Sequence, residues 1–233
     1  MSTRAPVLIS VLALGLGGCA PVYAPAAFQV AMLEEEGDLH LSGQLGLEGA
    51  ELHGSGAISD HVAVRAVGQH FWGEDTRYDL CALGLGLYGA TGEEVGWRWS
   101  LSGEVGLAPA VGTLSTESGG TTRFSGTGLR TAVQLDGGLE VPYGAVGIAL
   151  RPVVYHFTHD ERSDDAGNTA TWTLGEAAVV ARLGTRPLKV EAQGGLWLPL
   201  AGAGNIGVPL PLMLSFGLIY DGRFAPGTGG ADR

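Results

Sequence analysis

Positive charge is scarce in this chain: 13 Lys and Arg stand against 24 Asp and Glu in 233 residues, a formal net charge of -11. Nucleic acid needs a clustered basic surface to meet its phosphates, so nucleic-acid binding is excluded as a function. Charge of either sign is sparse, at 16% of residues, and cysteine occurs only twice. After the first 20 residues no apolar run is long enough to cross a bilayer as a helix, which needs about 20 residues. Yet 45% of the chain is hydrophobic and its mean hydropathy is positive, +0.20. A chain this apolar without a spanning helix has one other way to cross a membrane, as a closed barrel whose strands satisfy one another's backbone. Glycine is abundant, 40 residues against 11 prolines. That number weakens helices and suits tight turns and crowded strands.

The N-terminus carries an address. Arg4 makes a positive start, Val7 to Leu16 form an apolar stretch, and Leu16-Gly17-Gly18-Cys19 follows with small residues where a peptidase cuts. This resembles the lipobox of bacterial lipoproteins. The resemblance implies a signal peptide over 1–18 and a lipid-modified Cys19 as first mature residue, bearing palmitate-type acyl chains worth about 0.8 kcal/mol per buried CH₂. Ala20 rather than Asp follows, which resembles the outer-membrane sorting pattern of enteric bacteria. With Cys19 acylated, Cys81 has no partner for a disulfide. Cys81 lies in Leu80-Cys81-Ala82-Leu83, a setting for a small apolar side chain rather than a reactive thiol.

From Asp38 onward the hydrophobic pattern has period two. Leu39, Leu41, Gly43, Leu45 and Leu47 alternate with Asp38, His40, Ser42, Gln44 and Gly46, the mark of a two-faced strand. Ala50, Leu52, Gly54, Gly56 and Ile58 repeat it. Val95, Trp97, Trp99, Leu101, Val105 and Leu107 oppose Arg98, Ser100, Ser102, Glu104 and Gly106, which no 3.6-residue period produces. Leu188 to Leu198 and Val208 to Leu218 continue the alternation. Less regular segments at Val62 to Phe71, Tyr78 to Tyr88, Thr122 to Asp136, Tyr143 to Phe157 and Thr169 to Gly184 bring the total to about ten strands. The expected fold is an all-β, antiparallel, up-and-down transmembrane barrel over 38–221, preceded by a lipidated tether over 19–37 and followed by a disordered tail over 222–233.

Alternation alone does not separate a membrane barrel from a soluble barrel that encloses a hydrophobic ligand, since one is the other turned inside out. The minority face carries Arg65, Arg98, Glu104, Arg130, Asp136, Arg151, Glu176, Arg182, Lys189 and Glu191 among glycines and serines. Such near-balanced charges suit a narrow, side-chain-filled lumen. Connections at Ser59 to His61, Gly89 to Glu94, Gly137 to Pro142 and Thr185 to Pro187 are compact, whereas Ala108 to Gly120 and Thr158 to Asn168 are long and polar. Outer-membrane barrels have short periplasmic turns and longer outer loops, so this asymmetry favours the membrane form, with a periplasmic N-terminus.

The mature start Cys19-Ala20-Pro21-Val22-Tyr23-Ala24-Pro25, then Met32-Leu33-Glu34-Glu35-Glu36-Gly37-Asp38 and Ile58-Ser59-Asp60-His61-Val62-Ala63-Val64, resembles uncharacterised Gram-negative outer-membrane barrel lipoproteins that begin Cys-x-Pro-x-Tyr-x-Pro. The match covers about the first quarter of the chain; Ala31-Met32-Leu33 departs from the family's Pro-Leu-Leu, and Ser59 stands where the family has Thr. It implies a fold and an address, and brings no catalytic residue or cofactor.

Other candidates are thin. His156 and His159 flank the acidic run Asp160-Glu161-Arg162-Ser163-Asp164-Asp165, but the spacing fits no known cation loop, and a solvated loop explains it. His156 with Ser125 or Ser163 and Glu176 would make a lipid-modifying hydrolase if register brought them together, without a Gly-x-Ser-x-Gly elbow to support it. Trp72, Trp97, Trp99, Trp172 and Trp197 are scattered, as girdle or packing residues are. The expectation is a lipid-anchored outer-membrane barrel with no catalysis, no cofactor and no metal. Its partners are membrane lipids, and its role is structural, surface interaction or narrow transport.

Overall fold

The computed structural model describes residues 25–30, 32–46, 49–72, 76–92, 95–115, 121–160, 164, 167–202 and 212–223. Ten strands follow one another: β1 (Asp38–Gly46), β2 (Gly49–Ser59), β3 (Val62–Trp72), β4 (Thr76–Ala90), β5 (Gly96–Ser115), β6 (Thr121–Val141), β7 (Gly144–His159), β8 (Thr169–Thr185), β9 (Leu188–Gly202) and β10 (Leu212–Arg223). Each pairs antiparallel with its sequence neighbours, and β1 pairs with β10 to close the sheet. The closing seam runs from Asp38 opposite Arg223 to Gly46 opposite Ser215, so none of the ten strands is an edge strand.

The alternation sorts the side chains into two environments. Leu41, Leu45, Leu52, Leu83, Leu85, Leu101, Val105, Leu188, Leu198 and Phe216 are among many large apolar residues facing outward. His40, Ser42, Gln44, His53 and Ser55 on the opposite faces of β1 and β2 are buried. The barrel is therefore apolar outside and polar within, which overturns the alternative of a soluble barrel enclosing a hydrophobic ligand.

The wall has two heights. β1, β2, β3 and β10 have 9, 11, 11 and 12 residues, against 20 and 21 for β5 and β6. One end carries the tight connections at 60–61, 142–143 and 186–187 together with 91–95; residues 47–48, 73–75, 116–120, 160–168 and 203–211 join the strands at the other. We call these the turn end and the loop end. β5 and β6 rise beyond the low wall at the loop end.

Strands β4, β7 and β9 run a few residues past their expected ends, to Ala90, His159 and Gly202, and four further differences from the sequence expectation bear on the lumen. β6 runs through Gly137 and Gly138 to Val141, and the turn is only Pro142-Tyr143. Gly138 makes room instead of turning: a Cβ there would lie 2.6 Å from the Val146 carbonyl oxygen and 2.8 Å from the Met32 methyl. The segment from Ala108 to Ser115 is strand rather than loop, because Ala108 and Ala110 are buried inward. Pro109 interrupts only the ladder to β4, where pairing skips from Tyr78/Ala110 to Cys81/Leu107, as a residue without an N–H requires. Gly222 and Arg223 belong to β10 rather than to a tail; residues 224–233 lie outside the described residues. The fourth difference is the largest. Residues 25–30 and 32–34, expected in a tether outside the barrel, run inside it, with Ala26 and Phe28 fully buried.

Candidate functional site

The lumen is the place where this fold gathers its chemistry. All ten charged residues singled out on the minority face (Arg65, Arg98, Glu104, Arg130, Asp136, Arg151, Glu176, Arg182, Lys189 and Glu191) are buried, none more than 8% exposed. Strand register brings them together. Arg151 of β7 lies directly opposite Glu176 of β8, and Arg182 of β8 opposite Glu191 of β9. Their ion pairs measure 2.5 and 2.6 Å. Arg130 of β6 meets Glu104 of β5 diagonally, within cross-strand reach. Lys189 lies 2.7 Å from Glu140 and 3.0 Å from Asp221. Arg65 faces Asp136 at 3.8 Å, and Asp136 also accepts from Ser100 and Gln134, each at 2.7 Å.

These pairs do more than neutralise one another; they hold the N-terminal segment. The Ala27 N–H donates to both carboxylate oxygens of Glu51, at 2.9 and 2.8 Å. The Gln193 amide pairs with Phe28 as a second strand would, accepting from its N–H at 2.8 Å and donating to its carbonyl at 2.6 Å. Arg151 donates to the carbonyls of Ala26 and Ala27, Arg65 to that of Gln29, and Arg182 to that of Val30. Gln134 also donates to the Gln29 carbonyl at 2.9 Å. Three arginines thus join a carboxylate of the wall to a carbonyl of the segment. Backbone groups of a buried segment without a sheet partner need such donors, since each orphan would cost about 1–3 kcal/mol.

Side chains of the segment fill what remains. Phe28, Val30 and Met32 pack on Ala145, Ala149, Ala178 and Val180, where small wall residues leave space. The Arg151 guanidinium sits 4.3 Å from the Phe28 ring centre, a cation–π contact. At the turn end, Glu34 pairs with Arg98 at 3.0 Å and Arg186 at 2.8 Å, and Leu33 packs on Ala57, Ala63 and Tyr88. Residues 25–30 and 32–34 therefore form a plug, seated by charge and by shape.

Toward the loop end the lumen changes character. Tyr78, Phe124, Tyr155, Phe157, Trp172 and Trp197 are buried in one cluster with Ala26. Tyr155 stacks on Trp172 with ring centres 6.1 Å apart and on Phe157 at 6.2 Å. This aromatic tier was not expected of a polar lumen. The signal was present in β7, where Arg151, Val153, Tyr155 and Phe157 share one face and pass from charge to ring. Trp172 and Trp197 are thus packing residues inside, while Trp72, Trp97 and Trp99 are exposed on the outer face.

The other sequence candidates are not assembled. His156 faces outward and bonds Thr171 Oγ1 at 2.7 Å, whereas Ser125 and Glu176 face inward on Asp160 and Arg151; Ser163 lies outside the described residues. The serine–histidine–carboxylate reading therefore fails on register. His156 and His159 lie on opposite faces, and no group of three potential metal ligands occurs among the described residues. Cys81 is free and exposed on the outer face of β4; Cys19 lies outside the described residues.

No protein-family model matches the chain, and no curated protein does. Among solved structures, the β domain of the Bordetella autotransporter Brka is similar, with 11% identity, a TM-score of 0.34, and coverage of 78% of this chain and 97% of that one. A likeness at this level carries nothing about function. What the chain's own geometry establishes is a closed ten-stranded antiparallel barrel, apolar outside and filled within by ion pairs, aromatic rings and its own N-terminal segment.

Proposed function

We propose that this protein is a lipid-anchored outer-membrane barrel of a Gram-negative bacterium, closed to free diffusion, with a structural or surface-interaction role. The observation that carries the reading is the inversion of the wall: leucines, valines and tryptophans cover the outside while the arginines and carboxylates are buried. In water that outer surface would be an apolar patch far beyond the few hundred Å² that soluble monomers expose. In a bilayer it is the lipid-facing belt of a barrel. Acylation of Cys19 is the part of the reading that rests on the lipobox pattern at 16–19, and the family of barrel lipoproteins is proposed on the same sequence motifs.

Closure distinguishes the role from that of a diffusion pore. On this reading the plug and its ion pairs fill the cross-section a solute would need, so narrow transport would require the plug to leave. Membrane fractionation and planar-bilayer conductance test the proposal together. The expected result is recovery in the outer-membrane fraction, metabolic labelling by palmitate that Cys19→Ser abolishes, and no steady conductance from the intact protein. A protein that partitions to the soluble fraction without Cys19, or an intact barrel that conducts steadily, contradicts it.

A further inference from the structure

The direction of the plug decides which way the mature N-terminus points. Glu34 sits at the turn end, between Arg98 near the start of β5 and Arg186 in the 186–187 turn. Going back along the chain, Val30 meets Arg182, Phe28 meets Gln193, and Ala27 meets Glu51. The Pro25 carbonyl accepts from Gln69 at 3.1 Å. Glu51 lies two positions from the loop end of β2, and Gln69 three from that of β3. The segment therefore climbs the lumen from the turn end toward the loop end as it runs back from residue 34 to residue 25.

A cavity of about 120 Å³ adjoins Pro25 and is lined there by Gly46, Gly49, Trp197, Leu212 and Leu214. It joins the lumen to the top of the low wall, where Gly46 and Gly49 end β1 and β2 and where Leu212 and Leu214 already face outward. Phe28, Gln29 and Val30 are at most 2% exposed and held by wall arginines and glutamines, which opposes a return of the chain toward the turn end.

We propose that the mature N-terminus leaves the barrel at the loop end, over the low wall of β1, β2 and β10, so that acylated Cys19 anchors in the outer leaflet. The lengths agree. Six steps separate Cys19 from Pro25, a reach of roughly 20 Å at 3.3–3.6 Å per residue, while Pro25 sits only two or three strand positions below the rim. This places the N-terminus opposite to the periplasmic side expected from strand parity. Parity fixes the position of Asp38, and the plug then crosses the membrane once more.

The proposal rests on the outer-membrane reading, and the test separates the two. In a Cys81→Ser background expressed in a Gram-negative host, single thiols are introduced by Val22→Cys, by Asn205→Cys in the 203–211 connection and by Asp60→Cys in a tight turn. Intact cells are treated with a maleimide on a polymer too large for diffusion pores. The proposal expects labelling of Val22→Cys and Asn205→Cys on intact cells, and of Asp60→Cys only after the outer membrane is permeabilised. Val22→Cys labelled only after permeabilisation, or in neither state, overturns the proposal while the barrel reading stands. If Asn205→Cys and Asp60→Cys behave alike, the membrane-spanning reading itself fails and the proposal falls with it.

Discussion

Arg151 shows how much one residue carries in this lumen. Its guanidinium neutralises Glu176, donates to two plug carbonyls and covers the Phe28 ring. Arg151→Ala leaves the Glu176 carboxylate buried without that partner, and removing one member of a buried pair costs about 3–5 kcal/mol. Urea unfolding of the barrel in detergent should show a loss of that size. A double variant, Arg151→Met with Glu176→Gln, should recover most of it, because replacing both charges relieves the unpaired one. Gly128 makes a different kind of prediction. A Cβ there would fall on the buried Tyr155 ring, so Gly128→Ala should destabilise by about 1–3 kcal/mol through overpacking, read in the same assay. Much at this scale was legible in advance: period two placed all ten lumen charges on one face. Their partners were not, since Glu51 and Gln193 act on backbone groups of the plug, and no alternation pattern marks a contact 24 or 165 positions away.

The plug and the strands behave as separate elements. Among the described residues the plug contributes no sheet hydrogen bonds and is held by side chains, which allows it to be removed without unravelling the wall. Deleting residues 25–34 should leave a barrel that still inserts but conducts ions, measured as steps in a planar bilayer where the intact protein is silent. A milder probe is Ala27→Pro, which removes the N–H shared by the Glu51 oxygens and should produce intermittent conductance. Strands answer to the bilayer instead. Leu83 faces outward near the middle of the low wall, opposite Ala66, and Leu83→Arg should cost about 2–4 kcal/mol of folding stability in lipid vesicles. The ten strands were readable from alternation, with turn signals misleading at Gly137-Gly138. There Gly138 serves close approach to the Val146 backbone and to Met32 rather than a bend. The plug went unread because residues 26–30 are buried on both faces, so no alternation marks them. Its one signal was the run Ala26-Ala27-Phe28-Gln29-Val30, too apolar for a solvated tether.

At the scale of the whole molecule, two surfaces of opposite character are separated by a single layer of backbone. The outer one is offered to lipid, and the inner one is satisfied by ion pairs, rings and the chain's own N-terminal residues. The leucine face would associate in water, and the arginines would be orphaned without the wall carboxylates paired with them. Closure through the β1–β10 seam joins first strand to last, so unfolding must break a complete ring and is expected to be cooperative and slow.

The claim on which all of this depends is that the apolar face lies outside a closed ring in lipid. Heat-modifiability tests it most directly. Mature protein extracted from membranes in mild detergent is run on SDS gels with and without boiling, since closed membrane barrels resist SDS until heated. The account predicts a fast-migrating band without boiling that shifts to the mobility of the unfolded chain on boiling. Identical mobility in both lanes, with a variant lacking Cys19 folded and soluble in the absence of detergent, would contradict it.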